Sequence, residues 1–279
     1  MTKISYHILA SFIVYCVFPY ISMANASNDS IYYNLVGKAD TAIANNDWSG
    51  AETLLLSALQ CQPTNQSNVL LISNLAIIRY QQGKDSLALA TINHAHTIAP
   101  NSVTILSNRA KILKAMHRID DAYNDYQRII ELDSTLIEPW YYHGLIALSN
   151  GNIHTAQNDF SHLEQLAPND ALTLEAMAML HFNTHQYEQA IPYYTKLINQ
   201  SPAADFYIMR ITCYLILKRL SDASADINDA LKLYPLEGEL YLLRSWLNRQ
   251  YYQHKEADAD AQKAIELGIS PEIIASIPK

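Results

Sequence analysis

The sequence predicts an all-α solenoid of about seven helical hairpins, and three recurrences in the chain predict it. An alanine returns as Ala51, Ala88, Ala122, Ala156, Ala190, Ala223 and Ala257, at intervals of 37, 34, 34, 34, 33 and 34 residues. Twelve positions before each stands Ala39, Ala76, Ala110, Gly144, Ala178, Ile211 or Ser245, small in six of seven cases. Twelve positions after the first six stands Pro63, Pro100, Ser134, Pro168, Pro202 or Pro235. Self-similarity at this period marks a repeat architecture, in which each unit buries its apolar face only against its neighbours. Composition agrees, since 49% of the 279 residues are hydrophobic and only 7 glycines and 10 prolines interrupt them. Long helices and short turns follow from that balance.

Residues 1–26 are set aside as a secretory signal, with Lys3 before an apolar stretch from Ile8 to Met23. Ala24-Asn25-Ala26 offers small residues for cleavage before Ser27. The stretch is short of the ~20 residues a spanning helix needs, and Pro19 interrupts it. An uncleaved anchor is the alternative. Without residues 1–26 the chain keeps 18 basic and 27 acidic residues, a net charge of −9, which argues against binding nucleic acid or an anionic membrane. The expected localisation is periplasmic or secreted.

The helices follow from the same register. Four residues after the recurring alanine come Leu55, Ile92, Tyr126, Phe160, Tyr194 and Ile227; seven after it come Ala58, Ala95, Ile129, Leu163, Leu197, Ala230 and Ala264. Offsets of 0, 4 and 7 share one helix face. The prolines then end each second helix. Small residues at the two marked places let the paired helices cross closely.

The segment Trp140–Asn169, with Trp140, Gly144, Ala156, Phe160 and Pro168 in register, resembles the tetratricopeptide repeat. The repeats fall at 32–65, 69–102, 103–136, 137–170, 171–203, 204–237 and 238–271, within one domain of residues 27–279. The resemblance implies a right-handed superhelical solenoid. Three departures stand out. Ile211 replaces a small residue and predicts splayed packing in the sixth repeat. Extra residues near Asn65 to Asn68 lengthen the first inter-repeat turn. The last second helix is charged, with Lys255, Glu256, Asp258, Asp260, Lys263 and Glu266, as a terminal repeat requires. Ser270-Pro271-Glu272 reads as a helix start, and a cap over 272–279 is expected to hold a short helix from Glu272 to Ile277.

In the tetratricopeptide family the first helix of each repeat lines the surface that meets partners. By position, the resemblance implies Ser73, Asn74, Ile77 and Tyr80 in the second repeat and Ser107, Asn108, Lys111 and Lys114 in the third. Tyr141, Tyr142, Leu145 and Leu148 follow in the fourth, Glu175, Met179 and Phe182 in the fifth, and Ile208, Thr212 and Leu215 in the sixth. Asn74 and Asn108 are expected to bond a peptide backbone. Lys111 and Lys114, with Arg109 and Arg118 nearby, are expected to meet acidic groups, and the aromatic stretch to take apolar side chains. Most of the 19 tyrosines read as core, with Tyr80, Tyr141 and Tyr142 the exceptions.

No catalytic pattern emerges. His181 and His185 are a helical pair without the intervening acid of the zinc-protease motif, and no GxSxG elbow, glycine-rich phosphate loop or CxxC occurs. No metal or other cofactor is expected, and no enzymatic activity. Cys61 and Cys213, about five repeats apart, are expected to be buried thiols rather than a disulfide. The function implied is an exported scaffold or adaptor that holds a peptide or protein segment, in a cell envelope or secreted. The alternative is a membrane-tethered co-chaperone or a subunit of an envelope assembly machine.

Overall fold

A computed structural model describes residues 28–276. The proposed signal at 1–26 and the end of the cap at 277–279 lie outside the described residues. Among the described residues every regular element is helical. The fifteen helices are α1 (Asn28–Ala44), α2 (Trp48–Cys61), α3 (Asn68–Gln81), α4 (Asp85–Ile98), α5 (Val103–Ala115), α6 (Ile119–Leu132), α7 (Ile137–Ser149), α8 (Ile153–Leu166), α9 (Ala171–Asn183), α10 (Tyr187–Gln200), α11 (Ala204–Ile216), α12 (Leu220–Leu233), α13 (Gly238–Gln250), α14 (His254–Glu266) and α15 (Pro271–Ala275). Each second helix with a proline in its series ends two residues before it. None of the described helices is long and apolar enough to cross a membrane.

Consecutive helices pair as hairpins, from α1 with α2 to α13 with α14. The chain divides into two compact units, one ending at Leu132 and the other beginning at Asp133. In the first unit α2 packs on α3, and α5 packs on both α3 and α4; in the second α9 packs on α7 and α8, and α13 on α11 and α12. First helices therefore neighbour first helices within each unit.

The recurring small residues are where helices touch. Ala39, Ala76, Ala110, Ala178 and Ser245, and all seven marker alanines from Ala51 to Ala257, are fully buried. At Gly144 an added Cβ would collide with the Phe160 ring, so the fourth hairpin closes at that spot only with glycine. Around these contacts, Tyr32, Leu55 and Leu71 belong to the core of the first unit and Tyr194, Leu197 and Ile227 to that of the second. Each of the leucine and isoleucine side chains among them contributes about 1.5–3 kcal/mol by leaving water. Ile211 is fully buried, and α11 and α12 pack less extensively than any other hairpin, as its bulk predicts.

All seven hairpin turns share one device. Asn46, Gly83, His117, Gly151, His185, Lys218 and Tyr252, each five residues before its marker alanine, hold φ between 57° and 77°. The next residue donates its N–H to the carbonyl five positions back, from Asp47 to Ala42 at 2.8 Å through Gln253 to Asn248 at 2.9 Å. This left-handed residue with a 6→1 bond is a Schellman-type stop, and it prefers glycine because a Cβ is strained at positive φ. Five of the seven sites carry a side chain there.

Several details depart from expectation. Cys213 is buried, and burial pushes its thiol up to about 12, but Cys61 is only half-buried. Tyr251 and Tyr252, at the last hairpin turn, both face solvent rather than joining the core. Asp260 is buried in the charged terminal helix rather than exposed. The lengthened turn is tied down, with Tyr32 Oη donating to Asn68 Oδ1 at 3.1 Å and Asn68 Nδ2 to the Gln62 carbonyl at 2.6 Å. The final helix ends at Ala275, with Pro271 in its first turn and no capping bond from the Ser270 side chain.

Candidate functional site

The residue after each recurring small residue is half-buried in six consecutive repeats: Ile77 and Lys111 in the first unit, Leu145, Met179, Thr212 and Trp246 in the second. One position back along the helix the side chain is packed inside; this one is left partly open. In the first unit Asn74, Ile77 and Tyr80 line one side of α3 at offsets of 0, 3 and 6, and all are half-buried. Lys111 and Lys114 are half-buried on α5. In the second unit Tyr142 and Leu145 lie on α7, and Met179 and Phe182 on α9, again half-buried. Phe182 rests edge-on against Tyr187 with centroids 5.4 Å apart.

Six expected contact residues, Ser73, Asn108, Tyr141, Leu148, Ile208 and Leu215, are instead packed away. Asn108 is 3% exposed and donates from Nδ2 to Ser73 Oγ at 2.9 Å, so its amide joins α5 to α3 rather than facing outward. Tyr141 is 1% exposed and hydrogen-bonds Glu175 of the next first helix. In both cases the neighbouring repeat covers a position that one isolated hairpin would leave open. Leu148, Ile208 and Leu215 are buried as well. Arg109 is also occupied, donating from Nε to Asp125 Oδ2 at 2.8 Å, and Arg118 donates to Asp121 at 2.7 Å.

The Arg109 contact is one rung of a series that the sequence reading missed. His143 Nδ1 meets Asp159 Oδ2 at 2.7 Å, Arg210 forks onto Asp226 at 2.7 and 2.8 Å, and Arg244 forks onto Asp260 at 2.9 and 2.6 Å. Each pair is sixteen residues apart and ties the first helix of a hairpin to its second. The forked, charge-assisted geometry is the strong form of this contact. In the second repeat Thr91 holds the aspartate's place, and Arg79 reaches it at 2.6 Å while also pairing with Glu52 of α2 at 2.9 Å. A signal was available: the first helix carries Arg or His just before the small residue, and the second carries Asp three after the alanine.

Burial raises carboxylates both in the rungs and on the first-helix faces: Asp226 is raised by desolvation, opposed by Arg210. Burial raises the Glu175 carboxyl above the ordinary range, opposed by the Tyr141 hydrogen bond, with the negative charge of Asp205 adding to the rise. Desolvation also raises Glu239, helped by Glu237 and Asp205. His181 and His185 pair with Gln186 and with the Tyr187 hydroxyl, each at 2.7 Å, and do not come together around a common point. Among the described residues no group of three or more His, Cys, Asp or Glu is arranged to hold a metal ion. A cavity of about 350 Å³ opens between α12 and α13, lined by Ser224, Ile227, Asn228, Arg244, Leu247, Asn248, Tyr251 and Gln253, none of them among the expected contact residues.

Stacked helical hairpins at this period are the form of a helical repeat protein. A family model of the tetratricopeptide repeat matches residues 175–250. The chain is similar to a tetratricopeptide repeat protein from Parabacteroides merdae, at 26% identity and a TM-score of 0.68, over 89% of this chain and 97% of that one. Heat shock protein STI1 of Saccharomyces cerevisiae is 32% identical over 91 residues, 32% of this chain; the match spans only 15% of that relative's length. The fold is shared with YrrB, a tetratricopeptide repeat protein with an unusual peptide-binding site, at 14% identity and a TM-score of 0.54 over 66% of this chain and 95% of that one. It is shared too with pilF of Pseudomonas aeruginosa, at 18% identity and a TM-score of 0.63 over 75% and 94%. These likenesses support the tetratricopeptide repeat family, whose members mediate protein–protein interaction and serve in general as scaffolds.

Proposed function

We propose that this protein is a non-catalytic scaffold that holds a peptide or protein segment against the first helices of its repeats. The observation that carries this reading is the recurrence of half-buried side chains at one repeat position within each unit, Ile77 in the first and Leu145 and Met179 in the second. Asn74, Tyr80, Tyr142 and Phe182 supply hydrogen-bonding and aromatic contacts beside it, the composition expected of an anchoring surface. Binding of the full chain to an array of random dodecapeptides tests the reading. Leu145→Ser with Met179→Ser should weaken the strongest binders at least about tenfold, since each truncated anchor costs on the order of 1 kcal/mol or more. Unchanged binding would move the site elsewhere.

The scaffold is proposed to work outside the cytoplasm, in the periplasm or secreted, after cleavage behind Ala26. The apolar stretch from Ile8 to Met23 and the small residues after it support this. N-terminal sequencing of the protein from its native host should return Ser27 as the first residue. An intact Met1 on membrane-bound protein would favour the tethered reading instead.

A further inference from the structure

We propose that the first-helix face of residues 133–279 takes a cationic amphipathic segment, whose Lys or Arg side chains meet Glu175, Asp205 and Glu239 while its apolar side chains lie on Met179, Phe182 and Trp246. This rests on the scaffold reading given above and names the chemistry of the occupant. Three independent features point to it.

The first is placement. Glu175 is on α9, Asp205 on α11 and Glu239 on α13, the first helices of three successive hairpins. Glu175, Met179 and Phe182 stand at offsets 0, 4 and 7, and Glu239 and Trp246 at 0 and 7, so carboxylate and apolar groups share a face. Asp205 acts electrostatically on both Glu175 and Glu239.

The second is the lack of compensation. The arginines of this unit are engaged elsewhere: Arg210 with Asp226, Arg244 with Asp260, Arg219 with Glu188 and Asp222, Arg249 with Asp258. Among the described residues no ion pair includes Glu175, Asp205 or Glu239. Close carboxylates without a counter-charge are unfavourable. Glu239 is exposed, and desolvation with the negative charges of Glu237 and Asp205 raises its carboxyl. Beside Glu175, the hydroxyl of Tyr194, only 2% exposed, lacks a hydrogen-bond partner and feels that carboxylate.

The third is the field of the whole unit. Residues 133–279 hold ten Lys and Arg against eighteen Asp and Glu, so the chain's net charge of −8 lies entirely there. Such a field draws cationic partners and repels acidic ones.

Fluorescence anisotropy on the full chain tests this with three labelled dodecapeptides of one apolar pattern, bearing four Lys, four Gln or four Glu. The Lys peptide should bind at least about tenfold tighter than the Gln peptide, weaken as salt rises, and lose at least tenfold on Glu175→Gln/Asp205→Asn/Glu239→Gln, with helicity unchanged by circular dichroism. The Glu peptide should not bind. Equal binding of the Lys and Gln peptides, lost on Leu145→Ser/Met179→Ser, would overturn the charge inference and leave the scaffold reading standing. Lys-peptide binding that survives the triple substitution would also overturn the inference. Failure of all three peptides would sink both readings.

Discussion

The two units are built from the same hairpin and carry different surfaces. Residues 1–132 hold nine basic and nine acidic residues, whereas residues 133–279 carry an excess of eight acids. The half-buried row reads Ile77 and Lys111 in the first unit and Leu145, Met179, Thr212 and Trp246 in the second. The buried rungs differ as well: Arg109–Asp125 in the first unit, and His143–Asp159, Arg210–Asp226 and Arg244–Asp260 in the second. The seven marker alanines are buried alike because the same helix contact must close in every hairpin; the rungs and the half-buried positions vary, and there the units part.

The largest expected effect breaks this comparison at its rungs. Asp226→Asn in the second unit and Asp125→Asn in the first should each cost about 3 kcal/mol, because each leaves an arginine mostly buried without its counter-charge. Urea denaturation of each variant measures this. A loss in one unit and none in the other would show that the rungs are not equivalent parts of a common hairpin.

A smaller effect comes from the turns, where the units should behave alike. His117→Gly in the first unit and Lys218→Gly in the second relieve a side chain at φ 58° and should stabilise by about 1 kcal/mol each. Gly83→Ala and Gly151→Ala should lose a similar amount, since no atom lies near either added Cβ and only backbone strain is introduced. Thermal unfolding of the four variants reads these shifts, and opposite signs between units would break the symmetry.

The smallest effect is confined to the acidic face of the second unit. The folded-state pKa of Glu175 lies above its ordinary value, so the native state binds this proton more tightly than the unfolded chain. Below the ordinary carboxylate pKa both states are protonated and the site costs nothing. The cost appears as pH rises through the raised value. Glu175→Gln should therefore stabilise the protein at about pH 7.5 and leave it unchanged at about pH 3.5. Denaturation at both values checks the sign.

The repeat was legible because its signals are local. A small residue where helices cross, an apolar face at offsets of 0, 4 and 7, and a proline past the helix end each depend on a few neighbouring positions, and they fixed the hairpins closely. The candidate site was legible only in part. Its position on the first helices could be proposed, but Asn108 and Tyr141 were expected outside and lie inside. Their exposure is set by Ser73 and Glu175, which are more than thirty residues away in the chain. The rungs escaped notice because an Arg and an Asp sixteen apart look like ordinary solvated charges until the hairpin brings them together.

By itself the sequence determined the number, register and pairing of the helices, since each is encoded in spacings shorter than one repeat. Only the tertiary structure decided which first-helix side chains stay open, which charges are consumed in rungs, and which carboxylates are left crowded and unmatched. Exposure and charge compensation belong to the stack rather than to any one hairpin, because an adjacent repeat supplies both the cover and the counter-ion.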